Sequence, residues 1–188
     1  MRGIVGVCGT PGTGKKTVSP IVARLMGLPP PISISSLARK GEVEVDTTLL
    51  RRKLLALDPP PSIVSGHLLP HVLRKPEARF VAVLRCEPSV LRARLLERGY
   101  PRDKVTENVE AELIGVVLDE CVRRFGDGLV REYDSTSSSP RAIAGEIARD
   151  AQMARSNRRG VAPKAKPAWI DWTLDYDSSN KLRSLLAG

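Results

Sequence analysis

The stretch Gly9-Thr10-Pro11-Gly12-Thr13-Gly14-Lys15-Lys16-Thr17 constrains this chain more than any other. It follows directly on the apolar run Ile4-Val5-Gly6-Val7-Cys8, so the order is strand, glycine-rich loop, helix start. That is the context of a phosphate-binding P-loop. Glycines let successive backbone N–H groups turn toward one anion, and the following helix adds its positive end. Lys15 stands where a point charge meets the outer phosphates. One position departs from the pattern. The usual Ser or Thr after the lysine, whose hydroxyl holds Mg²⁺, is Lys16, and the next hydroxyl comes one residue late, at Thr17.

Composition narrows the class. With 188 residues and 41% hydrophobic side chains, the chain is long and apolar enough for one well-buried domain plus an appendage. Aromatic residues make up 4%, which provides poorly for stacking on nucleic-acid bases. No apolar run reaches membrane-spanning length, and the strand at the start leaves no room for a cleaved signal peptide, so a cytoplasmic protein is expected. Cys8, Cys86 and Cys121 lack metal-ligand spacing and are expected as reduced, buried thiols. The net charge is +9. Residues 1–150 carry 23 basic and 18 acidic side chains, and residues 151–188 carry 7 and 3, so the tail is more basic per residue. Such a surface suits nucleotides, RNA or an RNA-bound partner, or simply keeps the chain soluble.

Strand and helix signals alternate along the chain, which predicts an α/β fold. Strands are expected at 3–8, 32–35, 62–65, 79–84 and 129–133. A helix is expected from Gly14 to Met26, kinked by Pro20. Another runs from a cap at Asp46 or Thr47 to Leu57. Further helices are expected from Pro88 to Arg98, as one long element from Asp103 to Phe125, and from the Ser137-Ser138-Ser139-Pro140 run to Arg155. Five parallel strands with helices on both faces place ligands at the carboxyl ends of the strands. Residues 156–168 read as a linker. The chain therefore divides into a P-loop domain, 1–155, and a basic tail, 156–188, that holds both tryptophans, Trp169 and Trp172. A tail with two tryptophans is expected to dock either on its own body or on a partner, and a partner or RNA contact, rather than a part in the catalytic fold, is the expectation adopted.

Several blocks resemble a known family. They are Gly9-Thr10-Pro11-Gly12-Thr13-Gly14-Lys15, Ser65-Gly66-His67-Leu68, Val83-Leu84-Arg85-Cys86-Glu87-Pro88, Leu96-Glu97-Arg98-Gly99-Tyr100, Lys104-Val105 and Glu107-Asn108-Val109-Glu110-Ala111-Glu112. In this order, over roughly residues 3–150, they resemble the small adenylate kinases of isoenzyme-six type, found in archaea and eukaryotic nuclei. The resemblance implies a nucleoside monophosphate kinase-like P-loop NTPase fold with a monophosphate arm and a short lid. It implies adenylate kinase and ATPase activity, with ATP, AMP and Mg²⁺ as ligands. It also implies a late role in small ribosomal subunit maturation, with a platform protein of that subunit and rRNA as partners.

Residue by residue, Gly12, Thr13, Gly14, Lys15, Lys16 and Thr17 match the ATP phosphate loop, and Thr17 is the remaining candidate for the metal. Arg98 matches a lid arginine that contacts ATP, where a bidentate guanidinium suits shifting phosphate charge. It also suits a helix C-terminus without any ligand. Arg39 matches an arginine near the AMP phosphate, or forms a solvated basic turn with Lys40. His67, if neutral, orients a water or an acceptor oxygen, or is bonded within its loop. Lys15, His67 and Arg98 are the expected catalytic set. The family often carries an aspartate two residues before this histidine, where Ser65 stands here. Ser137-Ser138-Ser139 stands where it often carries a basic residue near the adenine. An enzyme and a nucleotide-switched assembly factor with little turnover both fit these residues, as does a small-metabolite kinase with another acceptor pocket.

Overall fold

The computed structural model describes residues 3–38, 45–156, 169–176 and 179–186. Five strands, β1 (Ile4–Cys8), β2 (Ile32–Ser33), β3 (Ile63–Ser65), β4 (Ala78–Arg85) and β5 (Val130–Asp134), form one sheet in the order β2-β3-β1-β4-β5. Every pairing is parallel. Alternation along the strands divides the core into two layers. Val5, Val7, Ile63, Phe80, Ala82 and Leu84 face α1 (Lys15–Leu25) and α8 (Pro140–Ser156). Cys8, Val64, Val81 and Val83 face α3 (Thr47–Leu55), α4 (Leu69–Val72) and α7 (Val116–Phe125). Each fully buried side chain of this size contributes about 1.5–3 kcal/mol relative to exposure. The three cysteines are free and buried.

Local chemistry sets the helix boundaries. Asp46 caps α3 by accepting from Thr48 N at 2.8 Å and Leu49 N at 3.0 Å. Glu87 caps α5 (Pro88–Glu97) through Ser89 N and Val90 N. The expected strand at 32–35 is shorter, because the chain turns at Ile34 into the one-turn helix α2 (Ile34–Leu37).

The long helix expected over 103–125 is two helices, α6 (Arg102–Leu113) and α7. Gly115, at φ +70°, breaks them. The Arg85 guanidinium lies against the break, where a Cβ on Gly115 would come within 3.7 Å of Nη2. Arg85 Nη2 donates to the Glu112 carbonyl at 3.0 Å, which also accepts from the Gly115 N–H at 3.1 Å.

The described residues of the tail lie against the body. A 3-10 turn, Trp172–Tyr176, and the helix α9 (Ser179–Leu186) pack on α5 and α6. Trp172, Tyr176, Leu182, Leu185 and Leu186 join Leu91, Leu95, Val105, Val109 and Leu113 in a third apolar cluster. Leu182, Leu185 and Leu186 recur at one-turn spacing, which gives α9 an apolar face that needs covering. Of the two docking surfaces expected for the tail, residues 169–176 and 179–186 take the body. The expected linker, apart from Ser156, lies outside the described residues. Among the described residues no helix is long and apolar enough to cross a membrane.

Candidate nucleotide site

The loop between β1 and α1 sits at the carboxyl edge of the sheet. Gly9, at φ +138°, opens it, and a Cβ there would meet the Leu84 carbonyl oxygen at 2.4 Å. Only glycine lets the loop pass that close to β4. Thr13 is fully buried, and its hydroxyl donates to the Thr10 carbonyl at 2.9 Å, so the loop is pinned across its own base. The first N–H groups of a helix have no carbonyl one turn back to bond. The residues that open α1, Gly14, Lys15 and Lys16, line a cleft of about 520 Å³.

Lys15 Nζ donates to the Gly9 carbonyl at 2.6 Å and to the Thr10 carbonyl at 2.8 Å. An ammonium carries three donors, so one is left for an acceptor in the cleft. Desolvation lowers the Lys15 pKa to about 8. Cys8 and Glu112 pull it upward by charge, and Arg98 and Lys16 push it further down.

The same cleft brings together residues far apart in the chain: Gly12, Lys16 and Thr17 from the loop, Ser65 and His67 after β3, and Arg98 with Tyr100 after α5. Its far wall is made by Ser33, Ile34 and Ala38 from the α2 region and by Val45 and Leu50 from the α3 region. Lys53 Nζ holds that arm by donating to the Leu37 carbonyl at 2.7 Å. Arg51 clamps it to the body by a bidentate pair with Glu77 at 2.6 and 2.8 Å. Arg98 is the C-cap residue of α5 and also lines the cleft. His67 has its pKa lowered to about 4 by desolvation first, then by the charges of Lys15 and His71. Its ring is therefore neutral at pH 7. Thr13 offers the cleft no side chain, since its hydroxyl is spent on Thr10. Ser139 caps α8 through Ala142 N, and none of Ser137, Ser138 or Ser139 lines the cleft. Arg39 lies outside the described residues.

The P-loop fold implies Mg²⁺ beside the phosphates, and the donor set can be tested for it. Mg²⁺ takes hard oxygen ligands in octahedral geometry, often with one or two carboxylates. Among the described residues that line the cleft none is a carboxylate, and none of the groups of His, Cys, Asp and Glu among described residues could hold a metal. Lys16 replaces the usual hydroxyl, and Thr17 and Ser65 are among the hydroxyl residues that line the cleft. The described residues do not fit a conventional Mg²⁺ site.

Residues that the sequence reading passed over support the loop from behind. The Glu112 carboxylate, 2% exposed, accepts from Thr10 Oγ1 at 2.5 Å, from Cys86 N at 3.0 Å and from Arg85 Nε at 2.8 Å. The signal was present in the sequence: Glu112 falls on the same helical stripe as Val105 and Val109, beside Leu113. A carboxylate on an apolar stripe announces a buried ion pair.

Comparison with known proteins places this arrangement. A family model described as “AAA domain” matches residues 5–115. A protein of Thermococcus gammatolerans named “Putative adenylate kinase” is 37% identical over 186 residues, covering 93% of this chain and 95% of that protein. One of the same name from Thermococcus kodakarensis is 34% identical over 182 residues, covering 93% and 95%. One from Natronomonas pharaonis is 38% identical over 152 residues, covering 76% and 86%. Among solved structures, a gluconokinase from Sinorhizobium meliloti 1021 superposes with a TM-score of 0.58 at 19% identity, covering 82% of this chain and 95% of its own. A shikimate kinase from Bacteroides thetaiotaomicron gives a TM-score of 0.52 at 15% identity, covering 82% and 99%. These two likenesses speak for the fold, a P-loop kinase fold. The chain belongs to the AAA-domain P-loop family, in the group formed with these archaeal relatives.

Proposed function

We propose that this protein is an adenylate kinase-like phosphotransferase that converts ATP and AMP into two ADP, with a side activity as an ATPase. The observation that carries the proposal is the single cleft that joins the phosphate loop and Arg98 to a separate arm wall. A hydrolase needs only the first part, whereas a kinase needs an acceptor held opposite the donor. The relatives' shared name supports the same choice.

In this scheme the loop amides of Gly12 to Lys16 and the Lys15 ammonium hold the β- and γ-phosphates. AMP lies against the arm, and by the family resemblance Arg39 is the candidate for its phosphate. An oxygen of the AMP phosphate attacks the γ-phosphorus, the bond to the β–γ bridging oxygen breaks, and two ADP result. No covalent enzyme intermediate is required, so positioning and charge neutralisation carry the step. Lys15, Lys16 and Arg98 bring three cations to the cleft. Neutral His67 accepts from a water or orients an acceptor oxygen. The α5–α6 pair serves as the lid and excludes water when it closes. The resemblance to the isoenzyme-six type, with the +9 net charge, supports cytoplasmic work in small ribosomal subunit maturation beside a platform protein and rRNA.

A second reading is favoured by one observation, the ammonium and serine that replace metal-facing groups at Lys16 and Ser65. It makes the protein a nucleotide-switched assembly factor with little turnover. Both readings require ATP to bind through Lys15. Lys15→Ala is expected to lose charge-assisted contacts worth about 1.5–3 kcal/mol, roughly 10- to 150-fold in affinity. Isothermal titration with a non-hydrolysable ATP analogue measures this, and unchanged affinity would remove the phosphate-loop assignment.

A further inference from the structure

A continuous chain of polar contacts, buried in its middle and part-buried at its ends, runs from the phosphate loop to the C-terminal segment. It starts at Lys15, whose Nζ donates to the Thr10 carbonyl at 2.8 Å. The Thr10 hydroxyl donates to Glu112 on α6 at 2.5 Å. Glu112 accepts from Arg85 Nε at 2.8 Å, and Arg85 is 2% exposed. Arg85 Nη1 then reaches Glu132 on β5 and the Ile170 carbonyl, both at 3.1 Å. Glu132 closes the chain by accepting from the Ile170 N–H. Nearby, the Tyr176 hydroxyl donates to Glu87, which caps the helix that ends at Arg98. The C-terminal segment therefore touches Arg85, which reaches the loop through Glu112, and Glu87 at the start of the Arg98 helix.

Burying one cation between two carboxylates is costly unless every partner is held. Ile170 supplies both a carbonyl to Arg85 and an N–H to Glu132, so one residue satisfies two groups that would otherwise lose partners. Thr10 likewise completes Glu112. The four side chains fix one another, and the loop inherits that rigidity at the carbonyl that holds Lys15.

Resting on the nucleotide assignment of the cleft, we infer that Glu112 is a positioning residue for the phosphate loop, held in place through Arg85 and Glu132 by the C-terminal segment at Ile170. The tail then acts as an intramolecular brace on phosphate binding, from outside the cleft. None of Thr10, Glu112, Arg85 or Ile170 lines the nucleotide cleft, so their effect on affinity must pass through geometry or charge rather than contact.

The test uses the full chain and a non-hydrolysable ATP analogue. Thr10→Val keeps the shape and removes the hydroxyl, and Thr10→Ser restores it. Ile170→Pro removes the N–H that Glu132 accepts. Thr10→Val is expected to weaken binding about tenfold, since it deletes a hydrogen bond to a charged group. Thr10→Ser is expected to stay within about twofold of the parent, and Ile170→Pro to weaken binding by about threefold or more. Glu112→Gln provides a readout that a purely structural role would not move. Glu112 is one of two groups that raise the Lys15 pKa, against Arg98 and Lys16. Its neutralisation should shift the alkaline midpoint of binding downward by about half a pH unit or more. Parent-like affinity in Thr10→Val or in Ile170→Pro would overturn the inference, as would equal losses in Thr10→Ser and Thr10→Val. An unmoved midpoint in Glu112→Gln would overturn it too. Lys15→Ala in the same titration separates the two levels: if it abolishes binding while Thr10→Val and Ile170→Pro bind like the parent, the brace fails and the phosphate site stands. If Lys15→Ala itself binds normally, the phosphate site fails.

Discussion

Nucleotide affinity should fall as pH rises above 8, because Lys15 in the free protein gives up its proton early. Its pKa is lowered from 10.5 to about 8, mainly by desolvation. Phosphate binding requires the ammonium form, so above that pKa each binding event must take up a proton. A group with a pKa of 8 is about one-eleventh protonated at pH 9, which predicts roughly tenfold weaker binding there than at pH 7, about 1.4 kcal/mol. The slope approaches tenfold per pH unit until the pKa of the nucleotide-bound form is passed. Stability without nucleotide runs the other way. The folded pKa lies below the unfolded one, so the unfolded chain binds more protons between about pH 8 and 10.5, and folding stability rises across that window. His67, with a pKa of about 4, contributes no inflection above pH 6. The assay is isothermal titration with a non-hydrolysable ATP analogue between pH 7 and 9.5, in two buffers of different ionisation enthalpy to count protons. Lys15→Met should flatten the curve. Affinity constant across this range, with no proton uptake at pH 9, would refute the electrostatic account of Lys15.

Restoring the usual residue by Lys16→Thr should raise ADP formation from ATP and AMP and make it more dependent on Mg²⁺, measured across a magnesium titration. It should also raise the Lys15 midpoint, since Lys16 is one of the charges that depress it. Arg85→Leu leaves two buried carboxylates facing no cation, and should cost about 3–5 kcal/mol, or a melting temperature roughly 6–20 °C lower by calorimetry. Leu185→Ala, at a position 5% exposed between α5 and α6, should cost about 2–5 kcal/mol in denaturant unfolding. A value near zero would mean that α9 does not hold these helices in solution.

The parts of the fold that were legible in the sequence are those set by local signals. The five strands are dense in Val, Ile and Leu or bounded by Gly and Pro. The cap at Asp46 and the proline at the first helical position, Pro88, mark helix starts by effects that act within one turn. The glycine-rich loop places Lys15 before any tertiary contact is known. What was not legible depends on contacts across the fold. Val105, Val109, Leu113, Val117 and Cys121 keep a helical rhythm straight through Gly115, so the break between α6 and α7 could not be read from periodicity. The left-handed Gly115 makes it, and the Arg85 guanidinium, thirty residues earlier, lies against it and bonds the Glu112 carbonyl. The surface on which the tail docks could not be read, because α9 is short and follows a basic, proline-rich stretch. Its three leucines gain meaning only against the face that α5 and α6 leave open. Within the site, Lys15, Lys16, Thr17, Ser65, His67 and Arg98 do converge on one cleft, while the supporting Thr10–Glu112–Arg85–Glu132 chain needed the structure.

The central proposal, phosphoryl transfer between two nucleotides in one cleft, is tested most directly by ADP formation in a coupled assay with ATP alone, AMP alone and both together. The account predicts ADP in excess of ATP hydrolysis only when both are present, two ADP for each AMP consumed, and loss of this activity in Lys15→Ala. ATP binding without AMP-dependent ADP formation would contradict it and leave the nucleotide-switched assembly factor in its place.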